Sequence, residues 1–380
     1  MVSEKIFFCK RDNLIIRGRE YLPEGGQLPA VIVSHGFGGT GSDLACYCQA
    51  FASWGYAAFS FDFCGGSADG TGLSDGCSLD MTIFTECEDL YAVINHIKTL
   101  SYIKSDEIIL LGVSQGGLVS ALAAAGRSND ISKLILICPA LCIPDDARNG
   151  RLAQSVYDIN KVPDIIDCKK MKLSSNFHNV VVHMDPLKEI AQYQGTVLLL
   201  HGTADKTVDY HYSLQAQEAF GPERCHLQLI READHCFTEK QLTGIIASIH
   251  QFLLGKKEIL TISIQIAKKE SFKEKDRDRI IIHFTGSCHC MHFKGIILPG
   301  AADVQEYQGQ KRLSICADYT LEGVDCNNQA CRIHIVNTDK NGEWKPKIET
   351  DSKALGFLNT SDSTAILESY KDGLTVRIFA

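Results

Sequence analysis

Ile108-Ile109-Leu110-Leu111-Gly112-Val113-Ser114-Gln115-Gly116-Gly117 is an aliphatic run that ends in a glycine-flanked serine, and Leu118-Val119-Ser120-Ala121-Leu122-Ala123-Ala124-Ala125 follows it at once. The first part reads as a buried strand and the last as a helix. A strand that turns directly into a helix places its apex residue in a strained conformation, and small flanking residues let the two backbones pass closely. The apex hydroxyl of Ser114 then stands clear of the sheet. The N–H groups that open the helix face the same point and favour a developing negative charge there. Ser114 is therefore the candidate nucleophile.

Other short aliphatic runs flank this one. They are Ala30-Val31-Ile32-Val33, Ala57-Ala58-Phe59-Ser60-Phe61, Leu134-Ile135-Leu136-Ile137 and Val197-Leu198-Leu199-Leu200. Continuous apolar runs of this length read as strands covered on both faces of a parallel sheet. Helical periodicity lies between them, as in the stripe Ile83, Cys87, Leu90, Val93, Ile94 and Ile97. Alternation of this kind predicts an α/β, doubly wound sheet. About 55 residues separate the runs ending near Cys138 and starting near Thr196, where a crossover needs about a dozen. The surplus, 140–194, is expected to be an inserted lid over the site. The domain is expected to span 1–258, closing on a helix from about Glu239 to Leu254. From Leu260 the pattern changes to period two. Short strands are expected at Leu260–Ile266, Ile280–Phe284, Leu313–Ala317, Cys331–Val336 and Leu374–Ile378, giving a small all-β barrel or sandwich over 259–380.

A serine hydroxyl needs a base to take its proton. In this arrangement acid and histidine follow the serine in chain order, each in a loop at the carboxyl end of a strand. Asp205 follows the run Val197–Leu200 in His201-Gly202-Thr203-Ala204-Asp205, and His235 follows Leu227-Gln228-Leu229-Ile230. The base would be His235, and Asp205 would fix its tautomer. Asp209 is the rival acid, and Asp234 reads as a turn residue. The oxyanion of an acyl-transfer intermediate needs two backbone donors. Gln115 N–H is one. The other is Phe37 N–H, in the loop Ser34-His35-Gly36-Phe37-Gly38-Gly39, where His35 reads as structural.

These phrases, together with Asp234-His235-Cys236-Phe237 and Tyr210-His211-Tyr212-Ser213-Leu214, resemble the α/β-hydrolase superfamily, and within it the bacterial cinnamoyl or feruloyl esterases. The likeness covers about residues 1–255. It implies an α/β-hydrolase fold, a doubly wound and mostly parallel sheet with an inserted lid. It also implies a triad of Ser114, Asp205 and His235 with Phe37 and Gln115 as oxyanion donors. The implied activity is hydrolysis of hydroxycinnamoyl or other small aryl or acyl esters through an acyl-enzyme. A serine peptidase or acyl-aminoacyl peptidase, and a monoacylglycerol lipase or thioesterase, are the alternatives for the same triad. Members often have histidine where this chain has Val113. Asp62-Phe63-Cys64-Gly65-Gly66-Ser67 resembles a turn of the superfamily in which the aspartate ties the loop. Beyond Leu260, Phe293-Lys294-Gly295-Ile296-Ile297-Leu298-Pro299-Gly300-Ala301-Ala302-Asp303 and Asp318-Tyr319-Thr320-Leu321-Glu322 resemble a family of small β-barrel domains of unknown function.

Composition narrows the partners. The chain has 380 residues and net charge −8, so the basic footprint of a nucleic-acid binder is absent. No apolar run approaches the about 20 residues that span a bilayer, and no signal peptide is read at the start, so a cytoplasmic location is expected. The 16 scattered cysteines are read as free, mostly buried thiols. Cys288, Cys290 and His292 would share one face of a strand, with Cys326 and Cys331 at a loose spacing, and the set is not read as a zinc site; Cys46 and Cys48 are read as packing residues. The charge run Glu270–Arg279 is read as a solvated turn. The expected partner is a small-molecule ester, with no cofactor, metal, nucleic acid or membrane, and a homodimer as the assembly considered.

Overall fold

Aliphatic runs that cannot face water on either side form the centre of an eight-stranded sheet. The computed structural model describes residues 2–380 apart from 69, 274–276 and 341. The chain divides into two compact units, Met1–Phe237 and Thr238–Ala380.

In the first unit the strands are β1 (Ser3–Arg11), β2 (Leu14–Leu22), β3 (Leu28–Ser34), β4 (Ala57–Phe61), β5 (Ile103–Val113), β6 (Lys133–Ile137), β7 (Thr196–Gly202) and β8 (Cys225–Ile230). Their order across the sheet is β1-β2-β4-β3-β5-β6-β7-β8. All neighbours from β4 to β8 run parallel, and the β1–β2 hairpin joins antiparallel at one edge. Ile32 lies opposite Phe59 on one side and Leu110 on the other. All three are fully buried. The order reverses between β4 and β5 around β3, which places the loops after β3 and β5 side by side at the carboxyl edge, where open α/β sheets hold ligands.

Helices α1 (Ala45–Ser53), α2 (Ile83–Lys98), α3 (Gln115–Gly126) and α4 (His211–Phe220) accompany these strands. Thr82 caps α2 reciprocally: its hydroxyl accepts from Thr85 N–H and its own N–H donates to Thr85 Oγ1. The expected apolar stripe of α2 is buried along its length, in one core with Ile32, Leu110, Leu136 and Leu118. The insertion is folded. It holds helices Ile143–Arg148, Ser175–Val181 and Pro186–Ile190 and two small hairpins, Arg151–Leu152 with Ser155–Val156 and Ile165–Asp167 with Lys172–Ser174. Leu152, Ile166, Met171, Leu173 and Phe177 are buried. The tip of the second hairpin reaches the loop after β3, where a Cβ on Gly38 would lie 3.4 Å from Lys170 and 3.6 Å from Met171 Sδ.

The second unit opens with helix α5 (Glu239–Leu253) and continues through β9 (Glu258–Lys273), β10 (Asp278–His289), β11 (Phe293–Ile297), β12 (Ala302–Gln308), β13 (Lys311–Asp325), β14 (Ala330–Lys340), β15 (Glu343–Thr350), β16 (Thr364–Tyr370) and β17 (Gly373–Phe379). The expected domain boundary at 258 falls after α5. By its contacts α5 groups with the strands that follow it: Thr364 Oγ1 donates to Gln251 Oε1 at 2.7 Å, and Gly244 lies against Glu368 and Ile366. The antiparallel sheet runs β9-β17-β16-β15-β14-β13-β11-β10-β12 and closes through β9–β10 and β13–β12 pairings. β11 and β12 lie end to end between β10 and β13, broken at Leu298-Pro299-Gly300, so the barrel has eight staves. Leu260, Ile262, Leu321, Ile333, Ile335 and Ile378 fill it. Of the charge run Glu270–Arg279, residues 274–276 lie outside the described residues, and Glu270–Lys273 extend β9.

Arg377 is 5% exposed and carries its charge into this unit. Its Nε donates to Glu368 Oε2 and its Nη1 to Glu258 Oε1, both at 2.9 Å. A buried cation shared by two carboxylates is costly to remove singly, because the anions stay behind. Arg377→Met is expected to destabilise the second unit by about 3–5 kcal/mol in urea unfolding, with most of the loss restored when both glutamates are also made glutamine.

Candidate active site

Ser114 sits between β5 and α3 at φ 56° and ψ −119°. A β-carbon in the left-handed region costs energy, so the surroundings must hold it there. Ser114 N–H donates to Ile137 O at 2.9 Å, and Ser114 O accepts from Gly117, Leu118 and Ala140 N–H. The glycines are required by close approach. A Cβ on Gly112 would lie 2.2 Å from Gly116 O, and one on Gly116 would lie 2.3 Å from His35 O.

The three expected side chains meet. His235 Nε2 is 3.0 Å from Ser114 Oγ, and His235 Nδ1 is 2.7 Å from Asp205 Oδ2. Asp205 Oδ1 accepts from Thr207 N–H at 2.8 Å and Val208 N–H at 2.9 Å. Its side chain is fully buried. Burial alone would raise its carboxyl, but hydrogen bonds from His201, His235 and Val208 outweigh that and hold it well below the usual carboxylate range. The acid thus stays ionised beside the imidazole and sets its tautomer, with the proton on Nδ1 and Nε2 open to accept from the serine.

The rival acid is used elsewhere. Asp209 is exposed, and its Oδ1 accepts from His211 N–H at 2.9 Å and Nδ1 at 2.7 Å at the start of α4. Asp234 Oδ1 accepts from Lys206 and His235 N–H, a turn role that joins the acid and histidine loops. The sequence reading did not single out His201, which is fully buried. Its Nε2 lies 3.3 Å from Asp205 Oδ2 and 3.0 Å from Val208 O, and its Nδ1 lies 2.6 Å from Ser213 Oγ. Two acceptors around Nε2 put a proton on it. A histidine at the end of a buried strand, four residues before the acid, was the available signal.

The backbone N–H groups expected of Phe37 and Gln115 are left uncommitted by the fold. Gly38 N–H donates to Gly66 O and Gly39 N–H to Gly36 O, while Phe37 N–H has no acceptor among the described residues. Gln115 opens α3, so its N–H has no partner within the helix. His35 is buried under this loop. Its Nε2 accepts from Phe63 N–H at 3.1 Å, so its Nδ1 donates to Gly36 O at 2.8 Å. Burial lowers its pKa and keeps it neutral. Asp62 ties the adjoining turn, accepting from Gly41 N–H at 2.7 Å and Leu73 N–H at 2.6 Å.

Cys138 Sγ, Asp205 and His235 present three donor atoms within 4.8 Å of one another, the one such group of metal-ligand type among the described residues. The Asp205 oxygens and His235 nitrogens are already engaged in the contacts above, and burial raises the Cys138 thiol far from ionisation. The donor set suits proton transfer better than metal binding. Cys288 and Cys290 come within 3.7 Å of each other, but neither His292 nor Cys326 and Cys331 join them as a third donor. All 16 cysteines are free thiols.

Comparison with known proteins is consistent with this geometry. Residues 27–162 match the family Hydrolase_4, described as serine aminopeptidase S33. Among solved structures, Est1E from Butyrivibrio proteoclasticus with ferulic acid bound is 28% identical, with a TM-score of 0.61, covering 66% of this chain and 98% of that one. An uncharacterized 31.7 kDa protein of the traX-finO intergenic region of Escherichia coli is 35% identical over 38% of this chain, and the quorum-quenching protein AidA of Acinetobacter baumannii is 31% identical over 29%. The chain spans 50% and 35% of the length of these two relatives. No helix among the described residues is long and apolar enough to cross a membrane. A mostly parallel sheet with this strand order, the serine turn after β5 and these likenesses together give the first unit the α/β-hydrolase fold.

Proposed function

We propose that the first unit is a carboxylic ester hydrolase that works through an acyl-enzyme on Ser114. The observation that carries the reading is the unbroken hydrogen-bonded path from Asp205 through His235 to Ser114 Oγ, beside two uncommitted backbone donors. Ser114 Oγ attacks the ester carbonyl carbon while His235 Nε2 takes its proton. The carbonyl oxygen becomes an oxyanion facing Phe37 and Gln115 N–H. His235 then returns the proton to the departing alcohol. Water, deprotonated by the same nitrogen, attacks the acyl carbon; the serine recovers its proton and the acid leaves. Asp205 stays ionised throughout and balances the imidazolium.

Small hydroxycinnamoyl-type or other aryl esters are the proposed substrates. What supports this is the likeness of 66% of this chain to 98% of a protein of the same fold that holds ferulic acid. An amide-cleaving reading is favoured by one separate finding, the serine aminopeptidase description of the matching family. A panel of methyl ferulate, p-nitrophenyl acetate, p-nitrophenyl palmitate and aminoacyl anilides separates these. The full chain is expected to turn over methyl ferulate and the short nitrophenyl ester with kcat/KM at least about 100-fold above any anilide, a gap worth about 2.7 kcal/mol in transition-state binding. Preference for an anilide would replace the ester reading, and preference for the long acyl chain would replace the aryl one. Asp205→Asn is expected to lower kcat on the best ester by about 10⁴-fold with little change in KM, since the loss falls on the transition state.

A further inference from the structure

Behind the serine turn lies a carboxyl that the acyl-transfer steps do not use. Glu86, in the first turn of α2, is 1% exposed. Gln115 Nε2 donates to its Oε2 at 2.9 Å. Gln115 is the residue whose backbone N–H forms one side of the oxyanion site, and its own side chain is buried against Met81 and Glu86. On its other side Glu86 abuts Gly66, where a Cβ would lie 2.9 Å from Glu86 Oε1. Gly66 O accepts from Gly38 N–H at 3.2 Å, and Gly38 and Ser67 form a bridge. This turn is the anchor of the loop that carries Phe37. One buried side chain therefore touches the supports of both oxyanion donors.

We propose that Glu86 is a positioning residue for the oxyanion site, holding the Gln115 side chain from behind and backing the Gly66 turn on which the Phe37 loop hangs. This rests on the hydrolase reading above. No cation pairs with Glu86 among the described residues. The titratable groups that bear on it are Asp89, one turn further along α2 and bridged to Arg11 at 2.5 Å, and the Cys87 thiol, which burial keeps protonated. Burial, with Asp89 adding to it, outweighs the Gln115 hydrogen bond and pushes the Glu86 carboxyl up to about 8. At neutral pH the group is mainly a neutral acid. When it ionises, a buried negative charge appears behind two donors that must stabilise another negative charge. Oxyanion stabilisation therefore weakens as pH rises through that value.

The test is the rate of phosphonylation of Ser114 by a fluorophosphonate probe between pH 6 and 10, in the full chain, with folding checked by near-UV circular dichroism. The wild-type rate is expected to fall above about pH 8, approaching tenfold per unit. Glu86→Gln keeps the hydrogen bond and the neutral state. It is expected to hold the neutral-pH rate within about threefold and to lose the descending limb. Glu86→Leu loses the hold on Gln115 and is expected to react at least tenfold more slowly at every pH. A folded Glu86→Gln protein that keeps the wild-type descending limb overturns the proposal. So does a wild-type rate that stays flat above pH 8, which decides the matter even if the variant does not fold. A wild-type chain that the probe never labels would instead overturn the hydrolase reading beneath it.

Discussion

One strained backbone holds the site together. Ser114 takes a left-handed conformation because β5 must become α3 without an intervening loop, and four hydrogen bonds to its backbone keep it there. The strain has a use: it raises Oγ off the sheet edge and turns the first N–H of α3 toward the same point. The conformation depends on glycine at 112 and 116, where a side chain would meet backbone atoms at under 2.5 Å. The remaining parts of the site are arranged around that fixed point.

The electrostatics follow from burial. Asp205 is stripped of water, yet four donors, two from backbone and two from imidazole rings, keep it charged. His35, equally buried but without a carboxylate partner, stays neutral and serves as a strut between the Phe37 loop and Phe63. Glu86, buried with a single amide donor, is pushed the opposite way from Asp205. Of three buried titratable groups one is thus held as an anion and two as neutral forms, according to how far hydrogen-bond donors offset burial.

Much of this was legible in the sequence, for physical reasons. Strands covered on both faces read as unbroken aliphatic runs, so β3 to β7 stand out, and the serine turn follows from what glycine alone permits. Asp205 and His235 were legible because they stand in the loops that follow β7 and β8 at the carboxyl edge of the sheet. The barrel was harder to read. The five strands with clear period-two patterns were visible, but β11 and β12 share one stave across a Pro-Gly break, and β15 and β16 carry polar residues on their outer face. The placement of α5 was not readable, since an amphipathic stripe does not say which sheet it covers. His201 and Glu86 were missed for a related cause: a polar residue inside an apolar pattern shows its partner only once the chain is folded.

The proposed ester hydrolysis requires Ser114 to become covalently acylated during turnover. The direct measurement is peptide mass spectrometry of the full chain quenched during turnover of p-nitrophenyl acetate. An acetyl group on the peptide bearing Ser114, appearing within one turnover and lost when ester is exhausted, is the predicted result. Turnover with no acyl adduct, or with the adduct on another residue, would contradict it.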